Sequence, residues 1–295
     1  MDPTPHLRWN HRSIPARAGV GLRSPHHEAI LSQQPAIGWL EAHSENFFSP
    51  GGAHIDQLER LREHYPLSLH GVGLSLGSTD PIDRTHLDNL KRVVARFEPW
   101  LVSEHLSWSS VEGRFANDLL PMPYTEEAVR HIAARIGQVQ NELGRQILVE
   151  NVSSYLQFDC SRLSESEFVS HVVAESRCAL LLDVNNIYVA ACNHEFDAYE
   201  YLEAMPAEAV REIHLAGHTS VPFGAGEMLI DTHSTPVCDE VWNLYAAAIQ
   251  RLGNIPTLIE WDNELPDLAV LTAEAQRADR VRVLASRLSR QDRVA

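Results

Sequence analysis

Acidic, amide and histidine side chains recur at the ends of short apolar segments along this chain of 295 residues. Imidazole and carboxylate groups can bind a metal ion or act as general acids and bases. Any one of them is equally well explained as a hydrogen-bonded polar residue, but so many together point to a shared role. The side chains are His43, Glu45, Asn46, His70, Glu104, His105, Glu150, Asn151, Asp183, Asn185, Asn186, His214, His218, Asp231, His233, Glu260 and Asp262.

The carboxylates in this set indicate a metal site. If they converge, Glu150, Asp183, Asp231 and Glu260 repel one another strongly, and bound cations remove that repulsion. Imidazole and carboxylate ligands without thiolate suit iron, manganese or zinc, and the four cysteines form no CxxC pair. There are more ligands than one ion can use. We therefore infer two or three metal ions that share bridging carboxylates.

The elements that position these residues alternate strictly between strand and helix. Several strand segments are continuously apolar, which is typical of strands buried on both faces. Eight strand–helix repeats predict an α/β protein with a single (β/α)₈ TIM barrel, whose strands all end at one face, where the metal cluster is expected. The predicted strands are 18–23, 38–44, 67–72, 100–106, 146–152, 179–184, 210–216 and 256–261.

The predicted helices cover 26–34, 55–65, 83–97, 125–143, 165–175, 197–204, 239–252 and the segment from 267 onward. Thr125 is the expected N-cap of its helix and Gly144 the residue that stops it. The stretch 107–124 predicts a small hairpin or a lid. An open doubly wound sheet is the alternative, but GVGLRS after the first strand lacks the spacing of a phosphate-binding loop. We assign 1–16 to a flexible N-terminal lead-in and 17–295 to the barrel domain.

Charge and composition narrow the possible partners. With 24 basic and 40 acidic residues the formal net charge is −16, which argues against nucleic acid and anionic membranes. No apolar run approaches the roughly 20 residues of a membrane span. The N-terminus lacks the apolar core of a signal peptide, and unclustered cysteines fit a reducing compartment, so we expect a cytoplasmic protein.

The histidines expected at the surface are His26, His27, His54, His64, His86, His131 and His171; His194 is expected near the metal face.

Eight segments, in order along the chain, carry a resemblance to a known family: GWLEAHSENFF, LSLHGVGLSLG, SEHLSW, ILVENVSSY, LLLDVNNIYVAACNH, EIHLAGH, LIDTHSTPV and LIEWDNELP. They resemble the multinuclear non-heme iron-dependent oxidase family, which includes the methanobactin biosynthesis oxidase. The fold of that family is similar to those of endonuclease IV and xylose isomerase. The resemblance runs from about residue 18 to about residue 278.

The resemblance implies a set of ligands for each of three metal ions. One metal is held by His70, His105 and Glu150. Glu150 bridges to a second metal, which the resemblance assigns also to Asp183, His214 and Glu260. A third is held by Asp231, His233 and Asn186; endonuclease IV has a histidine at this last position, and the weaker amide ligand favours the oxidase branch. The residues expected to support these ligands or to face the substrate are His43, Glu45, Asn46, Asn151, His218 and Asp262.

The implied activity is that of an oxidase with two to three Fe(II)/Fe(III) ions per chain and O₂ as co-substrate. Its substrate is a cysteine-containing, ribosomally synthesised precursor peptide, and a hydrogen is removed from the cysteine Cβ. The outcomes in the family are a heterocycle with a thioamide, or excision of the β-carbon. Members commonly need a partner protein that recognises the peptide leader, so we expect such a partner, no nucleic acid and no membrane.

Three other functions fit parts of the pattern. A multi-zinc hydrolase of the endonuclease IV type uses the same ligand types, but the acidic charge opposes a DNA substrate. A sugar isomerase with two divalent ions usually recruits a lysine near its substrate, and the only lysine, Lys91, lies in the middle of a predicted helix. A metal-binding protein of metal stress is the third, although ligands that converge at a barrel mouth suit catalysis better.

Overall fold

The computed structural model describes residue 15 and residues 17–224 and 226–292, with side chains up to residue 287. In this part of the chain the strands are β1 (Gly19–Gly21), β2 (Leu40–His43), β3 (Leu67–Gly71), β4 (Val102–His105), β5 (Trp108–Val111), β6 (Arg114–Leu120), β7 (Leu148–Glu150), β8 (Ala179–Asp183), β9 (Val210–Leu215), β10 (Thr219–Phe223), β11 (Gly226–Ile230) and β12 (Thr257–Ile259). The helices are α1 (His27–Gln33), α2 (Ala53–His64), α3 (Arg84–Phe97), α4 (Glu126–Leu143), α5 (Glu165–Ser176), α6 (Val184–His194), α7 (Ala198–Ala204), α8 (Asp239–Leu252) and α9 (Leu268–Asp292).

Eight of the strands close into a parallel barrel in the order β1-β12-β9-β8-β7-β4-β3-β2. Each of these strands falls inside one of the eight predicted segments, and the predicted (β/α)₈ TIM barrel is confirmed. The lead-in predicted at 1–16 lies outside the described residues except for residue 15. None of the described helices is long and apolar enough to cross a membrane.

The remaining four strands form two antiparallel hairpins, β5–β6 and β10–β11. The first follows β4 and confirms the hairpin predicted in 107–124. The second follows β9, where the sequence analysis placed only a loop. Because both hairpins begin at the carboxyl ends of barrel strands, they rise from the face where the site is expected.

The helix boundaries follow from their caps. The Thr125 hydroxyl accepts a hydrogen bond from the backbone N–H of Ala128 at 3.1 Å, and Gly144 ends α4 with φ 64°, as predicted. Helix α6 was not predicted. It begins directly after β8, where the Asp183 side chain accepts a bond from the N–H of Asn186 at 2.6 Å and so acts as its N-cap.

The main apolar core lies between the barrel and its helices. A smaller apolar cluster of Leu101, Leu148, Ala179 and Leu181 is separate from it. Since side chains two residues apart share one face of a strand, Leu148 and Leu181 lie below Glu150 and Asp183 in the barrel interior. On the side of β7 and β8 the barrel interior is therefore apolar at this lower level and polar above it.

Two histidines expected at the surface are buried, and that prediction was wrong. His26 and His27 are 5% and 3% exposed. Their rings contact the Pro266 carbonyl at 2.8 Å and the Gln57 side chain at 3.0 Å. The sequence of a helix shows which of its residues are polar. It does not show whether distant parts of the chain cover a histidine ring and supply its hydrogen-bond partners.

Candidate metal centre

Strand register brings the predicted ligands side by side at the carboxyl face. The Cα partners across neighbouring strands pair His43 with His70, His105 with Glu150, and Asp183 with His214. Each strand ends within a residue or two of its polar side chain, and parallel pairing aligns those ends. The arrangement of these six residues thus follows from strand length and register, whereas Asp231 and His233 come from the segment after the β10–β11 hairpin.

Three side chains form a compact group at one side of the barrel mouth. The Nε2 atoms of His70 and His105 are 3.3 Å apart, and they lie 3.2 and 3.3 Å from Oε2 of Glu150. Three ligands of a tetrahedral ion with bonds of about 2.0–2.1 Å stand roughly 3.3–3.4 Å from one another. This triangle has the dimensions of three ligands on one ion.

The second group shares Glu150 with the first. Nδ1 of His214 lies 3.1 Å from Oε2 of Glu260 and 4.0 Å from Oε1 of Glu150. Asp183 offers a carboxylate oxygen within 4.8 Å of the other ligand atoms of this group, and all four residues are buried. One oxygen of Glu150 therefore faces each group, which is the geometry of a bridging carboxylate.

The predicted third group is less complete. Nε2 of His233 lies 2.8 Å from Oδ1 of Asp231. The amide nitrogen of Asn186 contacts the Asn151 carbonyl at 3.0 Å, and its Oδ1 is buried without a partner. Asn185 was not assigned as a ligand, and its amide donates to Oδ1 of Asp231 at 2.7 Å.

Unpartnered buried atoms test whether these residues fit metal ions. Oε2 of Glu150, Oδ2 of Asp183, Oδ1 of Asn186 and Nε2 of His233 are buried and make no hydrogen bond of suitable geometry among the described residues. This holds even where a polar atom lies close, as Asp231 does to His233. Buried polar atoms are nearly always satisfied in proteins, and leaving a carboxylate unsatisfied is costly. Coordination satisfies these atoms together, so the donor set fits a multinuclear metal centre.

Hydrogen bonds on the far nitrogens orient two of the rings. Nδ1 of His105 lies 3.0 Å from the Gly71 carbonyl, and Nδ1 of His70 lies 2.7 Å from the Ser103 hydroxyl. A carbonyl can only accept, so Nδ1 of His105 carries a proton, and Nε2 is the nitrogen that binds metal once the ring is neutral. Such partners fix the tautomer of metal-binding histidines.

Burial and mutual repulsion shift the ionisation of the site. Burial raises the pKa of Glu150 to about 8, despite the opposing effect of His105. Burial and the nearby Asp231 raise the pKa of Asp183 to about 7. Burial disfavours the charged ring of His105, yet Glu150 and Glu104 raise its pKa to about 9. Protons therefore occupy positions that cations would take.

Arg23 closes one edge of the centre and was missed by the sequence analysis. Its guanidinium lies 3.4 Å from Oε1 of Glu260 and 3.1 Å from Nε2 of His43, and it forms a short ion pair with Asp262. Asp262 also lies 3.5 Å from Nδ1 of His233. His43 and Asp262 thus support Glu260 and His233, with Arg23 compensating the acidic charge.

Four other predicted supporting residues have different positions. Glu45 accepts bonds from the N–H groups of Val72 and Gly73, both at 3.0 Å, and so fixes the loop after β3. Asn151 pairs with the backbone of Asp183 through two bonds of 2.9 Å.

His218 reaches the site indirectly, because its Nδ1 lies 2.8 Å from Oδ1 of Asn185, which itself contacts Asp231. The structure does not bring Asn46 to the site: it is exposed on the 3₁₀ turn Ser44–Phe47, which turns it away from Glu45. His194 contacts the Ser154 hydroxyl at 3.0 Å and does not line the metal cavity.

Two buried carboxylates below the ligands were also missed. Glu41 and Glu212 are both 0% exposed and lie near Nε2 of His214. A period of two could have found them, because Glu41 precedes His43 and Glu212 precedes His214 on the same strand faces. His86, predicted at the surface, is also half-buried and lies 3.3 Å from Glu45.

An open cavity of about 780 Å³ covers the metal centre. Its walls include ligand residues such as His70, Glu150 and His233, and the β5–β6 hairpin contributes residues 115–119. A cavity of this size holds a ligand larger than a single side chain. The cavity connects the largely buried ligands that line it with the surface.

Comparison with known proteins gives a family match over most of the chain. Residues 17–283 match a family model described as RiPP precursor modification enzyme MbnB/TglH/ChrH, where RiPP denotes a ribosomally synthesised and post-translationally modified peptide. A UPF0276 protein of Acaryochloris marina is 52% identical over 262 residues, which cover 89% of this chain and 93% of that protein. A UPF0276 protein of Vibrio vulnificus is 52% identical, with 88% and 90% covered.

Solved structures share the fold at low sequence identity. Endonuclease IV from Thermus thermophilus superposes with a TM-score of 0.58 at 15% identity and covers 90% of this chain and 98% of its own. An L-ribulose 3-epimerase gives 0.58 at 15% identity, with 94% and 96% covered. These likenesses concern the barrel alone.

Proposed function

This chain belongs to the MbnB/TglH/ChrH family of RiPP precursor modification enzymes, and we propose that it is a multinuclear iron oxidase that uses O₂ to modify cysteine residues of a precursor peptide. The observation that carries the proposal is the pair of ligand groups joined by Glu150 at the barrel mouth. We propose that the enzyme oxidises cysteine by removing a hydrogen from its Cβ. The product is either a heterocycle with a thioamide or a residue that has lost its β-carbon.

The donor set supports iron in this role. We assign one ion to His70, His105 and Glu150, a second to the group of Glu150, Asp183, His214 and Glu260, and a third to Asp231, His233 and Asn186. The four cysteines lie outside the candidate ligand groups of the described residues, and histidine with carboxylate and open positions suits non-heme iron. When bound, iron supplies the capacity to bind a thiolate and to reduce O₂.

The residues of the chain itself hold and orient the substrate. Glu150, Asp183, Asp231 and Glu260 place four carboxyl groups at the base of the cavity, and binding cations displace their protons and balance their charge. The β5–β6 hairpin borders the cavity and limits the directions from which a side chain can enter. We propose that a cysteine enters here with its flanking peptide along the hairpin.

Exposed apolar side chains near the mouth support a polypeptide substrate. Five of the nine exposed large hydrophobic residues among the described ones lie on the loops after β4, β7 and β9. Phe115 and Phe223, on the two hairpins, are 73% and 66% exposed. Contiguous exposed apolar surface marks interaction sites, and we propose that these side chains form such a surface for the peptide. The five residues are Val111, Phe115, Leu156, Val221 and Phe223.

We propose in addition a partner protein that binds the peptide leader and delivers the cysteine. The peptide segment beyond the cavity needs a surface of its own, and the exposed side chains on the β10–β11 hairpin offer an interface for such a partner. Nucleic acid is not expected as a ligand because the net charge of −16 disfavours contact with phosphates.

Metal identity tests the proposal against the zinc-hydrolase alternative. Protein purified without oxygen is expected to hold two to three iron ions per chain, as measured by elemental analysis, and to leave abasic-site DNA intact. Protein that holds only zinc and cleaves abasic DNA would contradict the proposal and favour the hydrolase.

A further inference from the structure

The ring nitrogens that face away from the metal centre each meet a polar group. For His70 it is the Ser103 hydroxyl, and for His105 it is the Gly71 carbonyl. His214 is turned the other way, because its Nδ1 faces Glu260 at 3.1 Å. Its Nε2 faces the barrel interior, where Oε1 of Glu41 lies 3.3 Å away. Glu41 thus lies beside the ring nitrogen of His214 that faces away from the metal, as Ser103 does for His70 and Gly71 does for His105.

The Glu41 carboxylate and Nε2 of His214 face each other without a hydrogen bond of suitable geometry. Both carboxylate oxygens of Glu41 and Nε2 of His214 are buried without a partner, and Glu41 is 0% exposed. A neutral imidazole carries one proton, so a ring that binds metal through Nδ1 carries it on Nε2. That places an N–H donor beside the unpartnered carboxylate, and one hydrogen bond then satisfies both groups.

We propose that Glu41 is a positioning residue of the metal centre: its carboxylate accepts the Nε2–H bond of His214 and holds Nδ1 toward the metal. The inference rests on the proposed function, because it takes His214 to be a metal ligand. A carboxylate partner fixes the ring orientation and raises its basicity. Loss of such a partner typically lowers metal affinity by about 10–100-fold.

Glu212 provides a matched control within the same structure. It is also 0% exposed, both of its oxygens lack hydrogen bonds, and its Oε1 lies 3.7 Å from Nε2 of His214. Replacing either residue with glutamine removes one buried carboxylate from the same part of the barrel. Glu41→Gln removes the carboxylate that lies closer to Nε2 of His214, and Glu212→Gln removes the one that lies farther away.

The test compares Glu41→Gln and Glu212→Gln by anaerobic titration with Co(II), a redox-stable probe for the iron positions. For Glu41→Gln we expect about 10–100-fold weaker binding at one position, with a changed visible spectrum of the bound Co(II). Because a buried, unpartnered carboxylate is unfavourable, the metal-free variant should resist urea at least as well as wild type. Glu212→Gln should weaken Co(II) binding less than Glu41→Gln does, because the Glu212 carboxylate lies 3.7 Å from Nε2 of His214 and the Glu41 carboxylate 3.3 Å.

Wild-type affinity and spectrum in Glu41→Gln would overturn the inference, and so would an equal loss in Glu212→Gln, which would indicate a general effect of charge. If Glu41→Gln does not fold, Glu41→Asp keeps the charge and withdraws the oxygens by one methylene. Weakened binding in Glu41→Asp supports the inference, and unchanged binding overturns it. Wild-type protein that binds neither iron nor Co(II) would instead contradict the proposed function itself.

Discussion

Replacing Glu150 with glutamine is expected to remove metal from two positions at once. Oε2 of Glu150 faces His70 and His105, while Oε1 lies on the side of His214. Glutamine keeps the size of the side chain but offers one neutral oxygen, which cannot bridge two cations. We expect the variant to lose more than one ion per chain and at least about 100-fold in activity, beyond the upper effect of losing a residue that only supports a ligand.

His70→Ala is the control for this prediction, since His70 belongs to the first group alone. It should lose one ion and keep the group around Asp183 and His214. Elemental analysis of both variants, purified in parallel without oxygen, makes the comparison. If Glu150→Gln loses only one ion, Glu150 does not bridge the groups.

Metal affinity is expected to fall steeply as the pH is lowered from 8.5 to 6.5. The metal-free site holds protons in this range, because the pKa of His105 is raised to about 9 and that of Glu150 to about 8. Metal ligands must be deprotonated, so each proton displaced weakens binding by a factor of ten per pH unit below the pKa. If metal binding displaces one such proton, the metal affinity falls by roughly 100-fold between pH 8.5 and pH 6.5.

The sign follows from the direction of these shifts. Raised pKa values mean that protons compete with metal at neutral pH, and the competition from the His105 proton disappears as the pH rises above about 9. Titration with Mn(II) at several pH values, against a chelator whose own pH dependence is known, measures the affinity. Proton release in weakly buffered solution provides a second readout. Affinity that does not change with pH, without proton release, would contradict the prediction.

The positions of the strands, and the end of the barrel at which the site lies, could be predicted from the sequence because both follow from patterns within short segments. Segments of six or seven residues, several of them continuously apolar, predicted the eight barrel strands, and closure of a parallel barrel then brings their carboxyl ends together. His105 and Glu150 could be expected at one face on this ground. Their spacing of 3.3 Å depends on register and side-chain rotation, which the sequence does not specify.

Helix α6 and the β10–β11 hairpin show what local patterns leave out. Val184–His194 contains β-branched residues and two asparagines near its start, which disfavour a helix, but the Asp183 cap and packing against the barrel outweigh that preference. Arg23 was missed for a different reason. It precedes a 3₁₀ turn far from Glu260 and Asp262 in the chain, and only barrel closure between β1 and β12 makes them neighbours.

The mass of a cysteine-containing precursor peptide, measured after incubation with the iron-loaded protein, tests the proposed chemistry most directly. The peptide is one encoded beside the gene, produced together with any adjacent partner protein, and compared with and without O₂ and with the Glu150→Gln variant. We predict a mass change confined to the cysteine residues that requires both O₂ and the wild-type protein. An unchanged peptide in the presence of iron-loaded protein, partner and O₂ would contradict the assignment as a cysteine-modifying oxidase.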